Sequence, residues 1–224
     1  MTETLSRTAA SDAVEAIGWR YLLGNLVTSV TVTSLDQAVG AAAVAVAACG
    51  NDADEHLRAD VRGDRLDLSL QSGPAITDRD VELAHGITDA VRDLGLDTSP
   101  VGPGRAVQLL ELAIDALDIP AIRPFWKAAL AYEDEHSNGS PTDGLVDPTR
   151  RGPALWFQQM DEPRPQRNRI HFDITVPHDE ADTRIAAALA AGGTLVSDDE
   201  ARAFWILADA EGNEVCVCTW QDRD

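Results

Sequence analysis

The chain has 224 residues, with 38 Asp and Glu against 18 Lys and Arg, and a formal net charge of −20. This acidity excludes sequence-independent nucleic-acid binding, which needs basic side chains to displace counterions, and disfavours anionic membrane surfaces. Hydrophobic content of 44% and charged content of 25% are those of a soluble globular protein with room for one large domain or two small ones. No apolar run approaches the roughly 20 residues of a membrane helix, and the N-terminal stretch lacks a basic segment followed by an apolar core. Cys49, Cys216 and Cys218 make no disulfide framework, so a cytoplasmic location is expected.

In chain order, Ser11–Tyr21 has the composition of a short helix, with Ser11 and Asp12 as capping candidates. Asn25–Thr33 alternates apolar and hydroxyl residues and predicts a half-buried strand. It carries no charge or proline that would protect an exposed sheet edge. Ser34 or Asp36 opens an Ala/Val-rich helix ending near Cys49, and His56–Val61 is a further strand candidate. In Arg65–Gln71, Leu66, Leu68 and Leu70 face one way. Thr77 caps a third helix whose apolar face uses Val81, Leu83, Ala84, Ile87, Val91 and Leu94. This half reads α-β-α-β-β-α, an α+β domain over residues 1–98. A Pro/Gly cluster follows at 99–105 and reads as a linker.

Residues 106–224 carry a repeat. Val107–Ala116 is a strand followed by a helix from about Ile119 to Ala131, and Arg169–Val176 is a strand followed by a helix from about Asp179 to Ala191. Ser137–Pro153 reads as a long surface loop, and Ala154–Gln159 closes the first unit. Thr194–Val196, Ala203–Ala208 and Glu214–Trp220 are the shorter strands of the second. Aligning Glu111 with His171 also aligns Asp118 with His178, so a βαβββ unit fits both stretches. Strand alternation puts His171, Asp173 and Thr175 on one face. The same alternation groups Trp156 with Gln158, Trp205 with Leu207, and Cys216 with Cys218 and Trp220. The expected result is a groove containing tryptophans and a few polar groups, a small-molecule pocket.

The strands LLELAID, LWFQQM and RIHFDI, the Phe125-Trp126 pair and the turn-and-strand DAEGNEVC together resemble the glyoxalase-like family of the vicinal-oxygen-chelate superfamily. The resemblance implies two βαβββ units forming a U-shaped sheet around a cavity. It implies Trp126, Trp156, Gln158 and Trp205 as substrate-binding candidates. Glu111, His171 and Cys216, with Gln158 or Gln159, fall at the positions that hold a divalent metal in metal-dependent relatives. Glutamine is a weak ligand and the last-strand carboxylate is a cysteine here. These residue types favour a metal-free groove, and no cofactor is firmly implied.

The first half is similar to pterin-4a-carbinolamine dehydratases, through Gly18-Trp19, Glu55-His56 ahead of the RLDLSLQ strand, and Ala75–Ala84 opening the last helix. That resemblance implies a lyase losing water from 4a-hydroxytetrahydrobiopterin, with His56 and Glu55 as the acid–base pair and a pterin or similar heterocycle as substrate. His56 stands at the family's second histidine position and Glu55 at the first, while Gln71-Ser72-Gly73-Pro74 carries no histidine after the strand. The resemblance also implies homo-oligomers built through strand edges or helices of this half. His85 reads as a surface helix residue, and His136 and His178 as loop residues. Three functions follow: dehydratase-type lyase, an enzyme or binding protein working through the glyoxalase-like groove, or a non-catalytic binding protein.

Overall fold

The structure, a computed structural model, describes residues 3–71, 75–135, 139–163 and 170–223. Residues 72–74, His136 and Arg169, all singled out in the sequence, lie outside the described residues. The chain is α+β and divides into two units, Met1–Leu109 and Leu110–Asp224.

The first unit comprises α1 (Arg7–Glu15), β1 (Arg20–Leu22), β2 (Asn25–Thr31), α2 (Leu35–Cys49), α3 (Ala53–His56), β3 (Leu57–Val61), β4 (Arg65–Leu70), α4 (Asp78–Asp93), β5 (Thr98–Ser99), β6 (Val101–Gly102) and β7 (Arg105–Ala106). The first helix begins earlier than expected because the Ser6 side chain accepts a hydrogen bond from the Ala9 N–H. It stops before Gly18-Trp19. Gly18 has a φ of +82°, and a Cβ there would run into the Thr98 carbonyl. Trp19 is fully buried and donates its indole N–H to Thr88 Oγ1 at 2.9 Å.

The sheet runs β1-β2-β4-β3, with β5 also on β2. β2 is therefore an interior strand, which needs no charge or proline to protect it; the outer strand β3 carries Arg58 and Asp60. Residues 98–106 are not a featureless linker. β5 pairs with β2, and β6 and β7 form a hairpin within the first unit. Leu66, Leu68 and Leu70 of β4 are buried with Ala38, Ala41 and Ala45 of α2 and Leu83, Ile87 and Val91 of α4 in one core.

The second unit comprises β8 (Glu111–Ala116), α5 (Ile119–Leu130), β9 (Glu133–Asp134), β10 (Leu145–Val146), β11 (Ala154–Gln159), β12 (Phe172–Thr175), α6 (Ala181–Ala190), β13 (Thr194–Ser197), β14 (Phe204–Ala208) and β15 (Glu214–Cys218). These are two βαβββ repeats with the same strand order, β8-β11-β10-β9 and β12-β15-β14-β13. In both, the first strand pairs in parallel with the last, and the register is equivalent: Ala113 faces Trp156, and Asp173 faces Cys216. The expected loop at 137–153 contains β10, whose Leu145 and Val146 are buried. Ile114, Phe157, Val215 and Val217 of the sheets pack with Phe125, Trp126 and Ala188 of the helices in a second core. No helix of the described residues is long and apolar enough to cross a membrane.

The N-terminus of α4 is closed by a capping box: Thr77 Oγ1 accepts from the Asp80 N–H, and the Asp80 carboxylate accepts from the Thr77 N–H at 2.8 Å. Replacing Thr77 by Ala is expected to cost about 1–2 kcal/mol, measured by urea denaturation, with the folded-state circular dichroism unchanged.

Candidate functional site

The second unit holds a cavity of about 600 Å³, within the usual range for small-molecule sites. One wall is β8 and the residues after it, Leu112 to Asp115 and Leu117; the other is the turn Ala210–Glu214, with Ile170, His171 and Phe172 at the start of β12. Trp126, Met160 and Pro163 complete the apolar surface. The cavity thus lies between the two repeats of the unit. Asp115, His171, Glu211, Asn213 and Glu214 supply its polar groups.

The turn is held by Asp209, whose side chain is buried. Its carboxylate accepts from Trp126 Nε1 at 2.9 Å, Asn213 Nδ2 at 2.8 Å, and the backbone N–H groups of Glu211 and Asn213, both at 2.9 Å. Glu211 in turn accepts from the N–H groups of Leu117 (2.9 Å) and Asp118 (2.7 Å), just before α5. Gly212 has a φ of +85°, a conformation that L side chains rarely adopt, so the DAEGN turn requires glycine there.

The predicted groove residues divide. Trp126 reaches the cavity, but it is 1% exposed and belongs to the core, packed edge-on against Phe125 and Phe172. Trp156 and Gln158 are exposed on the face of β11 opposite Leu155 and Phe157, outside the cavity lining. Trp205 is a correction: it faces Val217 across the β14–β15 pairing and packs against the core, the side away from Cys216. Period-two alternation groups the residues of one strand, but only the pairing register fixes which group is buried.

The predicted metal set is also redrawn. Glu111 is exposed at the start of β8, its carboxyl pushed up by burial and by Glu135. It lies outside the cavity lining and does not join His171 and Cys216. In the repeat register, Cys216 corresponds to Trp156, so neither Gln158 nor Gln159 takes its place. The Gln159 amide instead donates to the carbonyls of Leu117 at 2.8 Å and Met160 at 2.9 Å. Among the described residues, His171, Asp173 and Cys216 have ligand atoms within 4.8 Å of one another. His171 and Asp173 share a face of the chain entering β12, and the parallel register sets Cys216 beside Asp173. His171 Nε2 lies 3.3 Å from Asp173 Oδ1. An imidazole, a carboxylate and a thiol are a donor set that fits zinc. Asp173 was visible on the His171 face in the sequence; what was missing was its pairing with Cys216.

All three cysteines are free and buried. Burial, with a hydrogen bond to Asp173, pushes the Cys216 thiol up to about 12.

In the first unit, His56 closes α3 and is buried, with Nδ1 2.7 Å from Oδ1 of the fully buried Asp80. The other Asp80 oxygen accepts from the N–H and hydroxyl of Thr77. Glu55 is exposed, and successive helix positions do not face each other. The expected Glu55–His56 pair does not converge; the carboxylate beside His56 is Asp80. The sequence signal was present: Asp80 occupies the helix stripe of Leu83, Ala84 and Ile87, where a carboxylate requires a buried partner. His85 is exposed with Nε2 3.2 Å from the Ala13 carbonyl, and His178 Nδ1 accepts from Trp220 Nε1 at 3.4 Å.

The paired βαβββ repeats around a cavity define a glyoxalase-like domain of the vicinal-oxygen-chelate class. Residues 111–218 match the family model described as a glyoxalase-like domain, so this half of the chain is one. No match is found among curated proteins. Among solved structures, a glyoxalase/bleomycin resistance protein/dioxygenase family enzyme from Burkholderia phytofirmans PsJN is 19% identical; the match covers 50% of this chain and 98% of that one, with a TM-score of 0.39. The fosfomycin resistance protein FosX from Mesorhizobium loti is 9% identical over 50% of this chain and 90% of its own, with a TM-score of 0.40. A transcriptional coactivator/pterin dehydratase from Brucella melitensis is 19% identical, covering 39% of this chain and 98% of its own, with a TM-score of 0.35.

The Cys216 thiol gives a pH test. Its proton is retained in the folded chain over a range where the unfolded chain has lost it, from a usual value near 9 to about 12. The folded state then binds more protons, so stability is full below pH 9 and falls as pH rises toward 12. Denaturation of chelator-treated protein across that range is expected to show a shallower decline for Cys216→Ser than for the wild type. Cys49, Cys218 and Tyr132, also raised by burial, contribute to the remaining slope.

Proposed function

We propose that the protein is an enzyme acting on a small molecule, and that the groove of its glyoxalase-like unit is where that molecule binds. The carrying observation is the 600 Å³ cavity between the two repeats, apolar along Leu112, Trp126, Met160 and Phe172 and polar at Asp115, His171 and Asn213. Such a lining suits a compact, partly apolar ligand with hydrogen-bonding groups on its rim, such as a pterin or similar heterocycle. His171, with its side chain half exposed at the groove, is the residue placed to exchange a proton with that ligand.

A second reading is favoured by the His56–Asp80 contact: a hydro-lyase of the 4a-hydroxytetrahydrobiopterin dehydratase type. Asp80 holds Nδ1 and fixes the orientation of the imidazole, which leaves Nε2 to take or give a proton. Glu55 is exposed and takes no part in that pair.

The two readings separate in one experiment. A panel of pterins and related heterocycles is screened by thermal shift, and dehydratase turnover is measured on 4a-hydroxytetrahydropterin. On the groove reading, His171→Ala abolishes the ligand-induced rise in melting temperature and His56→Ala leaves it intact. On the lyase reading, His56→Ala lowers turnover by about 10²–10⁴-fold toward the spontaneous rate. A wild type that neither binds nor turns over any compound contradicts both and supports a non-catalytic role.

We also propose that the chain self-associates through α2. Leu35, Val39 and Val46 are 57%, 54% and 48% exposed on a helix whose only charged residue is Asp36. A helix apolar on its outer as well as its inner face is one that a partner covers. Light scattering after size exclusion is expected to give at least twice the chain mass for the wild type, and the single-chain mass for Val39→Glu/Val46→Glu.

A further inference from the structure

We propose that Glu211 determines the size of molecule the groove admits: its carboxylate is a releasable clasp between the two repeats, and freeing it lets the groove widen. The proposal rests on the groove reading for its ligand and on separate geometry for the clasp.

The clasp spans the cavity from wall to wall. Glu211 stands in the turn that forms one wall, Leu117 stands in the other at the end of β8, and both line the cavity. The Leu117 N–H donates to both Glu211 oxygens at 2.9 Å, and the Asp118 N–H donates to Oε1 at 2.7 Å, from positions 94 and 93 residues away in sequence. The receiving end is fixed. Asp118 is the N-cap of α5, its side chain accepting from the Ala121 N–H at 3.1 Å, and the neighbouring Ile119 is buried. The other end is a closed unit: the Asp209 N–H donates to the Asn213 carbonyl at 3.0 Å, and the Gly212 N–H to the Asp209 carbonyl at 3.1 Å. Such a turn moves as one body, and the Glu211 bonds decide where its tip rests.

The two ties on this turn differ in what water can do to them. The bond from Trp126 to Asp209 is buried, so breaking it strands a desolvated donor. The Glu211 bonds are made at the surface, where Leu117 is 39% exposed, and water replaces them at a small net cost. Asp209 is thus the hinge, and Glu211 the part that lets go. Met160 reports the result, because it lines the same cavity, is partly buried and is the only methionine after Met1.

The test compares full-length wild type with Glu211→Ala, Glu211→Gln and Glu211→Asp. A glutamine amide oxygen replaces Oε1, which serves both N–H groups, whereas aspartate keeps the charge but falls one methylene short. The clasp is therefore kept in Glu211→Gln and lost in Glu211→Ala and Glu211→Asp. Two readouts need no ligand. Amide exchange followed by NMR is expected to be about tenfold or more faster at Leu117 and Asp118 in the Ala and Asp variants. The Asn213 N–H and the Trp126 indole N–H, both held by Asp209, are expected to keep their wild-type rates. Hydrogen peroxide gives one oxygen atom to the Met160 thioether sulfur and leaves as water; peptide mass mapping is expected to show this reaction severalfold faster in the same two variants. The third readout is the thermal shift with 6-methylpterin and the bulkier 6-phenylpterin. The larger compound is expected to raise the melting temperature of the Ala and Asp variants more than that of the wild type, while the smaller one stabilises all forms. Wild-type exchange and oxidation rates in Glu211→Ala overturn the proposal. So does the reverse order, with Glu211→Asp behaving as wild type and Glu211→Gln as Glu211→Ala, which makes charge and not reach the cause. Loss of protection at the Trp126 indole in Glu211→Ala also overturns it, since Glu211 then holds the fold and not the width. A smaller pterin that binds with no gain for the larger one overturns the size assignment. Faster exchange and oxidation with no shift from either pterin in any form contradicts the groove reading and supports the clasp alone.

Discussion

The buried carboxylate of Asp209 holds the candidate site together. It accepts hydrogen bonds from the Trp126 indole, the Asn213 amide and two backbone N–H groups of its own turn. The Trp126 indole is buried and would otherwise be desolvated with no partner, at a cost of about 1–3 kcal/mol. The arrangement joins the last turn of the second repeat to the helix of the first, and Glu211 reinforces the join by accepting from Leu117 and Asp118. Because the cavity lies between that turn and β8, its width is set by these bonds rather than by the sheets alone.

Two charged centres compete for the protein's chemistry, and they differ in kind. In the first unit, His56 and Asp80 are both buried, and Asp80 is also committed to capping α4. That pair locks α3 against α4 whether or not it moves a proton. In the second unit, His171 and Asp173 are half exposed beside a cavity, and nothing in the packing of the core requires them there. Polar side chains placed without a structural duty are the better candidates for binding, which is why the groove carries the primary reading.

Much of the fold was legible in the amino-acid order. The Ala/Val-rich helix, the RLDLSLQ strand and the helix capped by Thr77 stand close to where periodicity and capping chemistry put them. Ala154–Gln159 was recovered to the residue. The two-residue strands β5, β6, β7, β9 and β10 were not, because so short a run has no period to detect. The sites were less legible for a related reason. Alternation along a strand sorted His171 with Asp173, yet the partnership of Asp173 with Cys216 and the burial of Trp205 depend on register between strands distant in sequence. Asp80 lies on the apolar stripe of α4, where a carboxylate requires a buried partner, and that partner is His56.

The most direct measurement is an experimental electron-density map of protein purified without chelators and soaked with the tightest-binding heterocycle from a thermal-shift screen. The account predicts ligand density in the second unit between β8 and the Asp209–Asn213 turn, in contact with Trp126 and His171. Density beside Nε2 of His56, with that groove filled only by solvent, would contradict it.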